Sequence, residues 1–333
     1  MAERAAAAGS VSVVVPTFRR PASLRRTLEA LGRQRANVRW DVIVVDNDDA
    51  PGAAEVFHAV APSLPVPARL VREQRRGASN ARNRGISEVR SAVTVFLDDD
   101  VVPRAGWLER LVEPLVAGRA DGVAGRVELD PATPRPSWFT ASWHDTPFGV
   151  YDRGEEECRL GADDYLNTAN GAVRTELLRA TGGFDPVLGP RDGTPLLDDD
   201  VKLYRQLLAR GARMVYVPTA VVVHDLPAER LTRRYIVRRE YFRGRSGWLS
   251  ERERHATMPL VGTGAVGRKL GRELREAAGD GLWRPSTLYR VAADFAYAAG
   301  YGREAVRCLL RGRRVEPSGA WLDGGQDGSP ARP

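Results

Sequence analysis

Along the first hundred residues, short unbroken apolar runs alternate with stretches in which apolar positions recur every three or four residues. "VSVVVP" (11–16), "WDVIVVD" (40–46), "ARLVRE" (68–73) and "AVTVFLD" (92–98) are short, rich in β-branched residues and bounded by turn formers, which predicts strands. Between them, Pro21 to Gln34 sets Leu24, Leu28 and Leu31 on one face behind an early proline, and Ala78 to Val89 carries a second helical pattern. Strand, helix and strand at this spacing predict an α/β fold with a parallel sheet. Ligands of open sheets of this kind bind at the carboxyl ends of the strands. Asp46 and the run Asp98, Asp99, Asp100 fall at such ends.

Further along, "DGVAGRVEL" (121–129) reads as a strand, followed by the Pro/Trp-rich "PATPRPSWFTASWHDTPFG", which is too long and irregular for a simple connection. "NTANGAVRTELLRATGGFD" reads as a helix stopped by Gly182 and Gly183. A second helix is expected from about Asp200 to Arg210, ending at Gly211, with a pair of strands after it. From Glu229 to about Arg314 the pattern is helical, and the Gly/Pro/Asp-rich end is expected to be disordered. The expected organisation is a disordered N-terminus (1–9), an α/β domain (10–228), a helical C-terminal region (229–314) and a disordered tail (315–333).

Composition narrows the class. The chain has 333 residues, with apolar and charged fractions ordinary for a globular protein. No apolar run approaches the roughly 20 residues that cross a bilayer, and the first ten residues lack the apolar core of a signal peptide, so a cytoplasmic location is expected. Cys158 and Cys308 have no metal-ligand spacing. The net charge of +7 is carried almost wholly by arginine. It gathers at "RLTRRYIVRREYFRGRSGW" (230–248), which could be a solvated helix face or could meet nucleic acid, anionic lipid or a phosphorylated ligand.

Two aspartate triplets bear the candidate chemistry, at 98–100 and 198–200. The first ends a buried strand, where an oxygen cluster suits a hard divalent cation that also reaches substrate phosphates. The second begins a helix, where carboxylates often serve only the helix dipole and the free N–H groups. An EF-hand reading of residues 46–57 fails, because Pro51 and Phe57 stand where glycine and glutamate are needed.

The segments "VSVVVPTFRRPASLRRTLEAL", "WDVIVVDND", "RRGASNARNRGI", "VTVFLDDDVVP", "GWLERL", "TANGAVRTELLRATGGFD" and "LLDDDVKLYRQLLARGARMVYVP" resemble, in this order and spacing, the family 2 glycosyltransferases of GT-A fold. The resemblance covers about residues 10 to 225. It implies a Rossmann-like, mostly parallel sheet flanked by helices, here with a helical C-terminal extension, and inverting transfer from a nucleoside-diphosphate sugar, expected to be a UDP-sugar. Pro16, Thr17, Phe18 and Asp46 match positions around the nucleotide, and Arg82 and Asn83 match the "ARN" beneath it. Asp98 and Asp100 match the outer members of the DxD motif, with Asp99 between them, and Asp100 matches the ligand of an Mn²⁺ or Mg²⁺ ion. His224 matches a position that often completes that metal site. Asp199 and Asp200 match a Glu-Asp pair whose second member is the catalytic base. Aspartate at 199 departs from the usual glutamate, and "DND" before Asp49 departs from a common Gly-Ser turn.

Trp138, Trp143, His144 and Asn170 are candidates for the acceptor side, since sugar rings stack on aromatics. The expected acceptor is a carbohydrate, a lipid-linked molecule or a natural product, with no nucleic-acid partner; contact with the inner face of a membrane and homodimerisation stay open. A sugar nucleotidyltransferase would share the acidic site, but "PTFRRPAS" lacks the Gly-rich loop expected for a triphosphate. A non-catalytic protein of the same fold would tend to have lost Asp100 or Asp200, and both are present.

Overall fold

The computed structural model describes residues 10–134, 136, 148–191, 193–252, 255, 263–280 and 285–311. Strands β1 (Ser10–Thr17), β2 (Arg39–Asp46), β3 (Ala68–Arg72) and β4 (Val93–Leu97) run parallel and are linked by α1 (Pro21–Gly32), α2 (Gly52–Val60) and α3 (Ala78–Glu88). Val11, Val13, Val14 and Val15 of β1 are all buried, as expected of a strand covered on both faces. Helix α1 opens with Pro21 and buries Leu24, Leu28 and Leu31, the face its periodicity marks.

The next elements are β5 (Val101–Pro103), α4 (Trp107–Val116), β6 (Gly122–Leu129), β7 (Cys158–Arg159), β8 (Asn170–Arg174) and α5 (Thr175–Thr181). A short hairpin, β9 (Pro190–Arg191) and β10 (Thr194–Pro195), precedes α6 (Asp199–Ala209) and β11 (Met214–His224). The nine-stranded sheet has the order β3-β2-β1-β4-β8-β6-β11-β5, with β7 paired to β11. Its first half is parallel; β8 then runs antiparallel to both β4 and β6, and β5 and β7 are antiparallel to β11.

Two expectations are corrected here. The stretch from 168 onward is not one helix: Asn170–Arg174 is a strand, and only Thr175–Thr181 is helical. Asn, Gly and Ala are poor strand formers, and it is pairing on both edges that decides the conformation. The anticipated strand pair after Gly211 is a single strand with a bulge between Val217 and Val221, at Pro218 and Thr219. Helix α6 begins and ends within a residue of its expected bounds.

The helical C-terminal region comprises α7 (Arg233–Ser250), α8 (Thr263–Asp280) and α9 (Pro285–Arg311). Helices α7 and α9 cross where Gly244 meets Tyr297 and Gly300 meets Tyr241, and a Cβ on either glycine would fall on the other helix's backbone. The region is fastened to the sheet domain. Ser246 Oγ of α7 accepts the Leu197 amide at 2.8 Å. Asp185, wholly buried, binds both Lys202 Nζ of α6 at 2.9 Å and Arg252 just past α7. A small apolar core of Leu129, Phe148, Leu226, Ile236 and Tyr289 fills the space beneath. Among the described residues no helix is long and apolar enough to cross a membrane. Residues 1–9 and 315–333, and Trp138, Trp143 and His144, lie outside the described residues.

Candidate active site

The carboxyl ends of β1 and β4, the start of α6 and one face of α7 enclose a cavity of about 830 Å³. Both aspartate triplets line it. Thr27 of α1 donates its hydroxyl to the carbonyls of Asp99 (3.1 Å) and Val101 (2.8 Å), which fixes the turn that carries the first triplet. Asp99 points inward, accepting the Thr17 hydroxyl at 2.7 Å and an Arg20 N–H at 3.2 Å. Burial raises the Asp99 pKa to about 6 despite Arg20.

Asp100 is different. Arg20 reaches it at 2.5 Å, His224 Nε2 lies 3.6 Å from the same Oδ2, and Arg230 lies 3.8 Å away. Burial works against its charge, but these three groups outweigh burial and hold the carboxyl well below the usual range. Asp100 is therefore an anion at any pH of interest.

Arg82 of α3, buried, connects the triplets: one guanidinium nitrogen binds Asp98 at 2.9 Å and another binds Asp199 at 2.7 Å. Burial opposes its charge, and the two flanking carboxylates more than restore it. Asp199 also accepts the Ser79 hydroxyl at 3.3 Å. Gly189, at φ +80°, passes so close that a Cβ would meet Ser79 Oγ and Asp199 Oδ2, so only glycine fits this turn.

The helix-cap reading describes the second triplet only in part, since Asp200 takes a first-turn amide but the residue at the cap position does not cap. Asp198 occupies the cap position in the left-handed region at φ 66°, and its side chain makes no capping bond. A non-glycine residue there is strained, a feature that clusters at functional sites. Asp200 accepts the Val201 amide at 2.8 Å and forms no ion pair among the described residues. Burial, with Asp199 and Asp198 adding to it, pushes its pKa up to about 8.

Helix α7 supplies the remaining wall through Tyr235, Arg238, Arg239 and Arg243. Arg239 and Arg243 bind the buried Glu240 between them, at 3.2 Å and 2.5 Å. The basic stretch at 230–248 is thus in part the interior of the site. Arg20 gave no signal of its own in the sequence, and for Arg230 and these α7 arginines the charge density of the stretch was the only one.

Of the other expected residues, Pro16, Thr17 and Phe18 line the cavity, the Phe18 ring lying 4.7 Å and 5.3 Å from the guanidinium carbons of Arg19 and Arg76. Asp46 does not line it: its carboxylate accepts the Asp48 amide at 2.9 Å inside the turn, and burial raises its pKa. Its neighbour Asn47 faces the cavity and anchors the 73–77 loop through Glu73, Arg75 and Gly77. Asn83 is likewise turned away, its amide exchanging two 2.8 Å bonds with the backbone of Phe184. Asn170, expected near the acceptor, is fully buried, bonding Trp107 Nε1 and the carbonyls of Arg126 and Ala220. It is a structural amide that holds β8 against β6 and β11.

A divalent cation finds donors here. Among the described residues no three His, Cys, Asp or Glu side chains form a metal cluster. What exists is an open pair. His224 Nδ1 lies 3.1 Å from the Phe148 carbonyl, which can only accept, so Nδ1 carries a proton and Nε2, 3.6 Å from Asp100, is the nitrogen that a cation between the two would use. One ionised carboxylate and one imidazole, with space beside them, suit an ion that takes its other ligands from water and phosphate. Asp98 is committed to Arg82 instead.

Comparison with known proteins agrees with this geometry. Residues 12–163 match the family described as glycosyl transferase family 2. The pre-mycofactocin glycosyltransferase of Mycobacterium tuberculosis is 29% identical over 319 residues, covering 93% of this chain, while the chain spans 62% of that protein's length. The succinoglycan biosynthesis protein ExoM of Rhizobium meliloti is 27% identical over 267 residues, 78% of this chain and 82% of its own. The mannosyltransferase PcManGT from Pyrobaculum calidifontis, solved with GDP-Man and Mn²⁺, superposes with a TM-score of 0.52 at 18% identity, covering 91% of this chain and 75% of that one. GalNAc-T7, solved with UDP, GalNAc and Mn²⁺, gives 0.50 at 16% identity over 72% of this chain and half of its own. These superpositions establish a shared fold. The family match takes in β1 through β7 with the first aspartate triplet, and the mycobacterial similarity is long enough to include the second; over residues 12–163 the chain is similar to glycosyl transferase family 2.

Proposed function

We propose that the protein transfers a sugar from a nucleoside-diphosphate sugar, with a UDP-sugar as the first donor to test, to an acceptor hydroxyl with inversion at the anomeric carbon. The observation that carries this reading is the unequal state of the two triplets. Asp100 is held ionised among Arg20, Arg230 and His224, whereas Asp200 forms no ion pair among the described residues and has a pKa of about 8 despite Arg82 nearby. Two carboxyls of opposite tendency in one cavity suit separate roles, one for charge and one for a proton.

The donor's nucleoside would lie over Phe18 and the ends of β1 and β2, with its diphosphate toward Asp98–Asp100. A divalent cation held by Asp100 and His224 would neutralise charge on the departing nucleoside diphosphate. The structural neighbours solved with Mn²⁺ support that expectation. Arg82 binds Asp199 at 2.7 Å and fixes it in place, which leaves Asp200 to take the proton. As the acceptor oxygen bonds to the anomeric carbon, its proton passes to Asp200 and the bond from that carbon to the phosphate oxygen breaks. One base on the face opposite the leaving group gives inversion.

Thermal shift with a panel of nucleotide sugars and Mn²⁺ identifies the donor, since a ligand at 100 times its Kd stabilises by about 2.7 kcal/mol. Asp200→Asn should then keep metal-dependent donor binding and lose transfer by two or more orders of magnitude. Near-normal turnover in a folded Asp200→Asn protein would remove the base assignment.

A further inference from the structure

Outside the catalytic cavity, α7 and α9 form an open groove of about 630 Å³. Its floor is Val237, Tyr241, Tyr289 and Ala296, and its rim is Arg233, Arg234 and Arg238. The floor is firm, because Tyr289 packs into the small core beside Ile236 and donates its hydroxyl to the Arg233 carbonyl at 3.0 Å. On α9 the apolar track continues through Ala292, Phe295 and Ala299, all exposed, and Phe295 is 48% accessible. From Tyr289 to Ala299 this stripe runs about 15 Å along the helix.

Two features point to what fills it. Arg234 and Arg238 are exposed and have no carboxylate partner among the described residues, in contrast to Arg239 and Arg243, which share Glu240. Arg238 also belongs to both spaces: it is on the rim of the groove and in the wall of the catalytic cavity. An anion held at Arg238 would therefore stand at the mouth of the site while an attached hydrocarbon lay along the groove. A free sugar would leave the apolar track unused, and a nucleotide already has a place at the strand ends.

We propose that the groove binds the acceptor, and that the acceptor is an anionic amphiphile: a phosphate-bearing head at Arg234 and Arg238, carried on an alkyl or prenyl chain lying over Val237, Tyr241, Tyr289 and Ala296. The role as acceptor rests on the glycosyltransferase reading above; the binding does not.

The test uses decyl phosphate below its micelle concentration, titrated calorimetrically into the full-length protein, with inorganic phosphate and decanol as separate probes. Decyl phosphate should bind at least tenfold more tightly than either. Arg234→Gln/Arg238→Gln should weaken it at least tenfold, and Ala296→Trp, which fills the groove, should reduce it toward the phosphate value. Mn²⁺-dependent binding of a nucleoside diphosphate should be unchanged in Ala296→Trp and in the single variant Arg234→Gln, neither of which touches the catalytic cavity. That control reports folding and keeps failure here distinct from failure of the donor site. Equal binding of decyl phosphate and inorganic phosphate, or titrations indifferent to both variants, would overturn the proposal. So would flotation with phosphatidylglycerol vesicles in the absence of monomer binding, since the arginines would then serve a membrane surface.

Discussion

Asp200 offers the most exacting test, because its position predicts a pH at which the chemistry should turn on. Half-buried beside Asp199 and Asp198, its carboxyl is pushed by desolvation to a pKa of about 8. Such a group is about one-tenth ionised at pH 7, where an ordinary aspartate is ionised almost completely. Only the ionised form can accept a proton. Donor hydrolysis, with water as the acceptor, measures this without knowledge of the natural acceptor, and kcat/KM for the donor reports groups of the enzyme before the donor binds. It should rise about tenfold per pH unit below pH 8 and level above it, a gain of about fifty-fold between pH 6 and pH 8. Asp200→Asn should abolish that limb and lower the plateau by about 10²-fold or more. The same shift has a consequence for stability. With the folded pKa above the unfolded one, the contribution is complete below about pH 4 and is lost as pH rises toward about 8. The Tm advantage of Asp200→Asn over the natural protein should therefore widen across that window and stay constant beyond it. A kcat/KM level from pH 6 to 9, or a limb that persists in Asp200→Asn, would refute the reasoning.

Other perturbations probe the neighbouring parts. Asp100→Ala should abolish the Mn²⁺ dependence of nucleoside-diphosphate binding; an unchanged calorimetric titration would remove Asp100 from the cation site. Arg82→Met would leave Asp98 and Asp199 facing an apolar side chain, and breaking a buried pair of this kind costs about 3–5 kcal/mol. Urea unfolding with an unshifted midpoint would show that the bridge does not matter to the fold. Gly300→Ala should push α9 away from the Tyr241 carbonyl, at an overpacking cost of about 1–3 kcal/mol, and a thermal melt identical to that of the natural protein would contradict the close crossing.

The parts of the fold that could be read in advance are those where local pattern and tertiary setting agree. Strands β1 and β4 are β-branched runs buried almost throughout, and Asp98 to Asp100 stand where the second of them ends. Strand β8 was not legible, since Asn170, Gly171 and Ala172 owe their extended form to neighbours on both sides. Asn170 was misjudged for a related reason. A polar residue near a candidate site looks functional in one dimension, whereas here Trp107 and two carbonyls occupy its amide. The α7 wall was hidden most deeply. Arg238, Arg239 and Arg243 lie on a helix with no clear apolar face, and only the crossing with α9 decides which side of it turns toward Asp198 and Asp200.

The attachment of α7 has a consequence for the order in which the protein is completed. The residues proposed for the donor and its cation are encoded up to His224, whereas the wall opposite belongs to α7, and α7 is clasped by α9, which ends at Arg311. Chains emerge from the ribosome N-terminus first and fold domain by domain. A nascent chain can thus acquire its place for a nucleotide well before it has a place for the second substrate. Truncation before Pro285, which removes α9 and with it the clasp on α7, would return it to that half-built condition: on the function proposed above, a protein with a place for the donor and an unfinished wall on the acceptor side.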